Sequence, residues 1–254
     1  VEGLNTALSN KADLKNGQVP YSQIPHQTAN TSLYVDAVNG SDTNSGTQQE
    51  PFKTIQAALD SLPKDLNEFI AILNIAPGIY NEDVIVTGFH GGRNGSYGIN
   101  IIGVQNQISD DVKINSLAIV DCATAVIANG ICIQGYNFGI GITVDAAYAD
   151  LHYTKVTASS GAVNGIVCGA RTPPGCTIWN CSVTGFPEAG ICSNNGSIVV
   201  IYGGDVSNCA VGVAAGGPDS GMPGIVMIGN LKPTYSGNTV DKTTYFGGQL
   251  WGDT

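Results

Sequence analysis

Carboxylates within the repeating part of the chain are the residues best suited to acid–base chemistry, and four of them are catalytic candidates: Asp145, Asp150, Glu188 and Asp205. Hydrolysis of a glycosidic bond uses two carboxyl groups, about 5–5.5 Å apart in retaining enzymes and about 6.5–9.5 Å apart in inverting ones. Equivalent positions in successive coils of a solenoid lie about 4.8 Å apart, so two acids in one column would suit this reaction. The repeat alignment places no two of these acids in one column, and each remains an isolated candidate.

Basic residues give little support to lyase chemistry, which uses a base beside a neutralised carboxylate. Lys155 and Arg171 are the basic residues between Lys113 and Lys232, and their spacing groups neither of them with an Asp. His152 lies in a predicted strand and is interpreted as a packed or surface residue rather than a base. These residues favour a binding protein over an enzyme and leave a polysaccharide hydrolase or lyase as the alternative.

The elements that carry these residues repeat along positions 99–230. Six segments open with an aliphatic residue and close with an apolar one five positions later, beginning at Ile99, Ile131, Leu151, Ile178, Ile201 and Val226. In a second set a Gly precedes an aliphatic residue, at Gly141, Gly165, Gly190 and Gly212. A shared period of about 24 residues is typical of a repeat architecture. Short Val/Ile/Thr strands separated by turn residues predict an all-β fold, a parallel β-helix, over 70–230. Ile131, Ile178 and Ile201 are predicted to stack in one inward column.

Composition narrows the function classes. Gly accounts for 34 of the 254 residues and charged residues for 12%, which suits a β-protein rich in turns. The net charge of −10 argues against a nucleic-acid partner, because phosphate binding needs Lys and Arg. No apolar run is long enough to predict insertion into a membrane, and the first residues do not follow a signal-peptide pattern.

Cysteine and histidine usage predicts neither a metal site nor a cofactor. The seven Cys form no CxxC pair and the three His are scattered, so the thiols are interpreted as buried and free. Buried free thiols suit a chain made in a reducing cytoplasm. Asp42, Asn44 and Gly46 resemble half of a calcium loop, but Lys53 stands where the final Glu belongs. A turn stabilised by side chains is therefore predicted there.

Residues 1–30 differ from the rest of the chain. Val1, Leu4 and Leu8 have the spacing of a short helix that is too small to be stable alone. This segment is either a linker or a stripe that packs against copies of itself. The string Gly3-Leu-Asn-Thr-Ala-Leu-Ser-Asn-Lys-Ala-Asp-Leu-Lys-Asn-Gly-Gln-Val-Pro-Tyr-Ser-Gln-Ile-Pro25 resembles the junction segment of bacteriophage tail fibres and tailspikes. The resemblance implies a junction and trimerisation segment over 1–30, followed by a β-helix domain over 31–254.

A second resemblance covers positions 33–59. Leu33-Tyr-Val-Asp36, Asn39-Gly-Ser-Asp42, Asn44-Ser-Gly-Thr47 and Pro51-Phe-Lys-Thr-Ile-Gln-Ala-Ala-Leu59 resemble the start of pectate-lyase-like right-handed β-helices. That group includes both phage tailspikes and polysaccharide lyases, so the resemblance implies the fold rather than an activity. A helix from Pro51 to Leu62, ended by Pro63, is predicted to cover the open apolar end of the solenoid.

Long loops are the predicted places for ligand binding. The stretches 87–98, 169–175 and 216–224 interrupt the repeat, and the first of them is polar and bears aromatic residues. Such excursions from a solenoid are either binding loops or neutral insertions. If a glycan is bound, the candidates are His90, Arg93 and Tyr97 of the first loop and Arg171 of the second.

These observations predict a structural phage tail fibre or tailspike component that binds a host-surface glycan. The alternatives are a tailspike depolymerase that cleaves a capsular or lipopolysaccharide glycan, and a free carbohydrate-active enzyme. The resemblance implies a homotrimer, contacts of the N-terminus with other tail or baseplate proteins, and a place in the virion. The sequence alone leaves two and three copies equally open.

Overall fold

The protein is described by a computed structural model that covers residues 20–92, 98–137, 139–169, 175–217 and 223–252. The predicted stripe of Val1, Leu4 and Leu8 lies outside these residues. The described chain is almost entirely β-structure, arranged in a nine-stranded and a twelve-stranded sheet whose strands all pair in parallel. The prediction of a parallel β-helix is therefore confirmed. No helix among the described residues has the length and apolarity needed to cross a membrane.

The nine-stranded sheet forms one side of the solenoid, here called the first face. Each coil contributes one strand, and the side chains alternate between the core and the surface. The strands, in order along the solenoid, are β1 (Thr31–Val35), β2 (Ala71–Ile75), β4 (Ile99–Ile102), β6 (Ala125–Asn129), β9 (Tyr148–His152), β12 (Gly175–Trp179), β15 (Ile198–Tyr202), β18 (Ile225–Ile228) and β21 (Gln249–Trp251).

The twelve-stranded sheet bends to form two further sides. Two long strands, β3 (Gly78–Thr87) and β5 (Val112–Val120), run along both sides in the first coils. Beyond β5 the sheet divides, because β5 pairs with one strand at its start and with another at its end. The second face then consists of β7 (Cys132–Ile133), β10 (Lys155–Thr157), β13 (Ser182–Thr184), β16 (Asp205–Ser207) and β19 (Thr234–Ser236). The third face consists of β8 (Ile140–Asp145), β11 (Asn164–Gly169), β14 (Ala189–Ser193), β17 (Val211–Ala215) and β20 (Val240–Thr244).

Aliphatic residues stack in columns along the core. Leu151, Ile178 and Ile201 are register partners on the first face, and all three are buried. Ile131 does not belong to this column, contrary to the prediction. It is buried, but it lies between β6 and β7, after the corner residue Gly130, whereas the column position in that coil is Ala128.

The glycine marker corresponds to a structural column at the start of the third face. Gly141, Gly165, Gly190 and Gly212 are equivalent in register, since the residues that follow them pair with one another. A Cβ on Gly165 would lie 2.4 Å from the carbonyl oxygen of Gly190 and 2.7 Å from Val183 Cγ1. The corner between the second and third faces is so narrow that a side chain has no room, and this explains why glycine recurs.

A short helix, α1 (Ile55–Asp60), packs its buried residues Ile55, Ala58 and Leu59 against the first coils. It begins four residues later than predicted from Pro51, because Phe52 bridges to Val35 in extended conformation. Thr54 caps the helix by accepting a hydrogen bond from the Ala57 amide.

Two carboxylates hold the chain at the start of α1. Asp42 Oδ1 accepts hydrogen bonds from the backbone amides of Lys53 and Thr54 at 2.9 and 2.8 Å, so Asp42 stabilises this turn as predicted. Glu82 Oε1 and Oε2 accept from the amides of Ile55 and Gln56 at 2.8 and 3.0 Å. The first amides of the helix thereby find partners.

Candidate functional site

The four candidate catalytic acids lie on three different sides of the solenoid. Asp150 is on the first face and Asp205 on the second. Asp145 ends a strand of the third face, whereas Glu188 precedes the strand β14 at the opposite end of that face. The fold therefore does not bring these acids together into the pair that glycoside hydrolysis requires.

The local contacts of these acids are those of structural residues. Asp205 accepts hydrogen bonds from the hydroxyl groups of Ser207 at 2.7 Å and Thr234 at 3.0 Å. Glu188 accepts one from the Asn164 side chain at 3.0 Å. It borders a cleft of about 300 Å³ whose other walls are mostly apolar, formed by Pro187, Ala189, Ala210, Val211, Ala214 and Tyr245.

Asp150 and His152 form a pair that the sequence interpretation missed. They point to the same side of β9 because they are two residues apart. His152 Nε2 lies 3.0 Å from Asp150 Oδ1, and the side chains are 28% and 4% exposed. The His152 ring is 6.0 Å from that of Trp179, which stacks on Tyr202 at 4.0 Å. These side chains form a line of rings along the outside of the first face.

Lys155 has acidic and basic neighbours that its spacing in the sequence did not reveal. Its Nζ donates to Asp110 Oδ2 at 2.6 Å, and Lys113 Nζ lies 3.8 Å from Asp110 Oδ1. Lys113 and Lys155 both pair with Cys132 in the register of the second face, which brings them together. The hydrogen bond from Lys155 lowers the pKa of the Asp110 carboxyl group. Lys155 is thus already bound to a carboxylate and is not a free base.

A cluster around Asp65 has the groups that a sugar-binding site needs, and it is here called the Asp65 cluster. It consists of Tyr21, His26, Asp65 and His90. His26, Asp65 and His90 form successive parallel bridges, so they occupy equivalent corner positions in neighbouring coils. Tyr21 lies in a turn of 3₁₀ helix (Tyr21–Gln23) and stacks on the His26 ring at 4.6 Å.

Hydrogen bonds fix the carboxylate at the centre of this cluster. The Tyr21 hydroxyl donates to Asp65 Oδ2 at 2.8 Å, and the Asn67 amide donates to Asp65 Oδ1 at 2.8 Å. His90 Nδ1 lies 3.6 Å from Asp65 Oδ1. The Asn67 amide, followed by the Tyr21 hydroxyl, lowers the pKa of Asp65. The hydrogen bond that the Tyr21 hydroxyl donates to Asp65 raises the pKa of Tyr21. Asp65 is consequently an ionised acceptor held in one orientation.

Two members of the cluster are open to solvent, whereas the Asp65 side chain is 14% exposed and His26 is half-buried. Tyr21 is 52% exposed, and the His90 side chain is 56% exposed. Of the four residues predicted to bind a glycan, His90 belongs to this cluster. Arg93, Tyr97 and Arg171 lie outside the described residues. Tyr21 and Asp65 gave no signal in the sequence, because they are 44 residues apart and meet only through the coil register.

Comparisons with known proteins find one family of unknown function and one distantly similar solved structure. A family model described as "Protein of unknown function (DUF1565)" matches residues 38–87, the stretch that contains α1, Asp42 and Glu82. No curated protein matches the chain. A solved structure of a rhamnogalacturonan lyase is similar over 88% of this chain, with 14% identity and a TM-score of 0.43. The chain spans 63% of the length of that lyase. The fold assignment depends on the strand pairing itself.

Proposed function

We propose that the chain is a structural and glycan-binding component of a bacteriophage tail fibre or tailspike. The phage assignment is supported by the resemblance of residues 3–25 to the junction segment of such proteins, and the resemblance of residues 33–59 supports the fold alone. The glycan assignment is supported by one structural observation: the exposed Tyr21 stacks on the half-buried His26 and is held against the ionised carboxylate of Asp65. In this proposal, the N-terminus joins the protein to other tail or baseplate proteins. The assembly contains three copies, made in the bacterial cytoplasm and carried in the virion.

The chemistry of the Asp65 cluster suits a sugar. Sugar rings combine an apolar face of C–H groups with a rim of hydroxyl groups. The exposed face of Tyr21 offers an aromatic surface for the first, and Asp65 offers a charged acceptor for the second. His90 adds a ring nitrogen for a further hydrogen bond. Because the Tyr21 hydroxyl and the Asn67 amide fix the Asp65 carboxylate, little ordering is needed on binding.

Binding explains the arrangement of acids better than cleavage does. The four candidate catalytic acids are spread over three sides of the solenoid, and none of them belongs to the Asp65 cluster. The alternative, a depolymerase, has one observation in its favour: the close approach of Asp150 and His152, which has the composition of an acid–base pair.

An array of bacterial capsular and lipopolysaccharide glycans tests the proposal. The wild-type chain is expected to bind a subset of the array, and Tyr21→Ala and His90→Ala are each expected to weaken that binding about tenfold, as for loss of one stacked or charge-assisted contact. Tyr136→Ala is the control, since it removes an exposed tyrosine elsewhere on the solenoid. If Tyr21→Ala and His90→Ala bind the glycans as strongly as the control Tyr136→Ala does, the Asp65 cluster is rejected as the site.

The same glycans separate binding from cleavage. After incubation with the wild-type chain, size-exclusion chromatography is expected to show an unchanged polysaccharide. Fragments that form with wild type but not with Asp150→Asn would establish the depolymerase instead.

A further inference from the structure

A pocket of about 270 Å³ lies where the first two strands of the first face end, and it is here called the Tyr34 pocket. Tyr34 points outward from β1, between the buried residues Leu33 and Val35. Asn74 of β2 is the register partner of Tyr34 and lies beside it. The lining residues are Tyr34, Val35, Asp36, Gln48, Pro51, Asn74, Ile75 and Ala76. None of them belongs to the Asp65 cluster.

The loop that follows β1 forms the opposite wall, and hydrogen bonds hold it in place. The Tyr34 amide donates to the Gly46 oxygen at 2.9 Å, and the Phe52 amide donates to the Tyr34 oxygen at 2.9 Å. The Asn44 side chain donates to the Pro51 oxygen at 2.9 Å. Gly46 has a φ of +79°, and a Cβ there would lie 2.4 Å from Phe52 Cε2, so the turn requires glycine. Because the loop is fixed in this way, binding needs little reordering of the pocket.

The polar side chains of the pocket are of the types that recognise hydroxyl groups. Asn74 donates from its side-chain amide to the Leu33 oxygen at 3.2 Å, and this contact orients the amide. Gln48 supplies a second amide, and Tyr34 supplies a hydroxyl group and an aromatic ring. A primary amide both donates and accepts hydrogen bonds, as a sugar hydroxyl does. An aromatic ring suits the C–H face of a sugar.

Asp36 gives the pocket a negative charge. Its Oδ1 accepts from the amides of Val38 and Asn39 at 2.8 and 3.0 Å, and its Oδ2 accepts from Asn39 Nδ2 at 3.0 Å. The Asn39 side chain, followed by the amides of Asn39 and Val38, lowers the pKa of Asp36. A carboxylate has about four acceptor sites, so it can still accept a hydrogen bond from a ligand hydroxyl. The lining residues include no Lys or Arg, and a ligand carboxylate would therefore be repelled.

We infer that the Tyr34 pocket binds one uncharged sugar residue and discriminates against uronic acids. The inference rests on the proposed glycan binding and adds a second contact point to it. His26 and Asp65 precede β1 and β2, whereas the pocket lies at the ends of these strands. Each strand has five residues and spans about 16 Å. A glycan chain laid across the first two strands thus meets the Asp65 cluster at one end and the Tyr34 pocket at the other.

Saturation-transfer difference NMR on the full chain tests the pocket with monosaccharides. The neutral probes are glucose, galactose, mannose, rhamnose and N-acetylglucosamine, and the charged probes are glucuronate and galacturonate. At least one neutral sugar is expected to bind, and its uronate counterparts are expected to bind at least about tenfold more weakly. Gln48→Ala is expected to weaken binding about three- to tenfold, as for loss of one hydrogen bond. Gln49→Ala is the matched control, because Gln49 is the exposed neighbour that does not line the pocket.

Both glutamine variants are also measured in a Tyr21→Ala background, which removes the stacking residue of the Asp65 cluster. The loss caused by Gln48→Ala should persist there, and circular dichroism should show an unchanged thermal transition. Equal binding by Gln48→Ala and Gln49→Ala would overturn the inference. So would a wild type that binds none of the neutral sugars, or one that binds the uronates equally well. Failure of the Asp65 cluster is distinguishable, since Tyr21→Ala would then bind the polysaccharide array as the wild type does.

Discussion

The glycine column makes a quantitative prediction about packing at the corner of the solenoid. In Gly165→Ala, the new methyl group would lie 2.4 Å from the Gly190 carbonyl oxygen, 2.7 Å from Val183 Cγ1 and 2.9 Å from Phe186 Cε2. Two of these neighbours are constrained by the strand ladder and the core, so the methyl group cannot be accommodated by rotating one side chain. The coils must move apart locally.

The expected cost follows from overpacking. Inserting a methyl group into a tight core destabilises by about 1–3 kcal/mol, and the contact with a backbone carbonyl places this case at the upper end. The lower entropy of the unfolded chain with Ala offsets about 0.4–1 kcal/mol. We expect a net loss of about 2–3 kcal/mol in the free energy of unfolding. In a chain of this size that corresponds to a melting temperature lower by roughly 4–12 °C.

A matched control lies in the same strand. A Cβ on Gly169 would meet Asp145 Oδ1 at 3.3 Å, and a surface side chain can move aside. Gly169→Ala is expected to be neutral or to stabilise by up to about 1 kcal/mol. Urea unfolding at constant protein concentration, followed by far-ultraviolet circular dichroism, measures both variants. Equal stability of the two variants would refute the packing argument, and with it the assignment of Gly165 to the inner corner.

Three further predictions concern the core, the helix start and the thiols. Ile178→Ala is expected to lower the free energy of unfolding by about 2–5 kcal/mol because Ile178 is fully buried between Leu151 and Ile201. A loss in urea unfolding smaller than that caused by a change to Ala at an exposed site would contradict the stacked column. Burial raises the pKa of Glu82 above its usual value, so the native state holds that proton more tightly than the unfolded state does. As the pH rises from the pKa of Glu82 in the unfolded chain to its higher pKa in the folded chain, the free energy of unfolding of the wild type should therefore fall relative to that of Glu82→Gln. A difference in unfolding free energy that does not change with pH would reject this prediction. All seven thiols are buried, and burial raises the pKa of Cys181 and Cys192 to about 12. A thiol reagent at neutral pH should label the native chain slowly and the urea-unfolded chain at all seven sites, whereas rapid native labelling would contradict the burial.

The fold was predictable because its rules are local and repeat. Gly141 and its three equivalents mark a corner that is too narrow for a side chain in four successive coils, whereas the flanking coils have Ser116 and Asp241 at the equivalent position. The aliphatic marker was less reliable. Ile131 resembles Ile178 in its sequence surroundings, but the strand in its coil ends at Asn129, and a corner shifts Ile131 out of the column. Turn lengths differ between coils, so apolar spacing alone cannot fix the register.

The Asp65 cluster was only partly predictable, for a physical reason. His90 was found because it lies in a polar loop that interrupts the repeat. Asp65 and Tyr21 belong to different coils, and their contact depends on parallel bridges that no spacing along the chain reveals. Lys155 and Asp110 are 45 residues apart and meet for the same reason. In a solenoid, a site is assembled across coils, so it becomes visible only once the register is known.

The measurement closest to the central claim is isothermal titration of the chain with the best glycan from the array, for wild type and Asp65→Asn. This change keeps the size of the side chain and an acceptor for the Asn67 amide, but removes the charge that orients Tyr21 and meets the sugar hydroxyl groups. We predict an affinity at least about tenfold weaker, as for loss of a charge-assisted hydrogen bond, with an unaltered thermal transition. An affinity equal to that of wild type would contradict glycan binding at the Asp65 cluster.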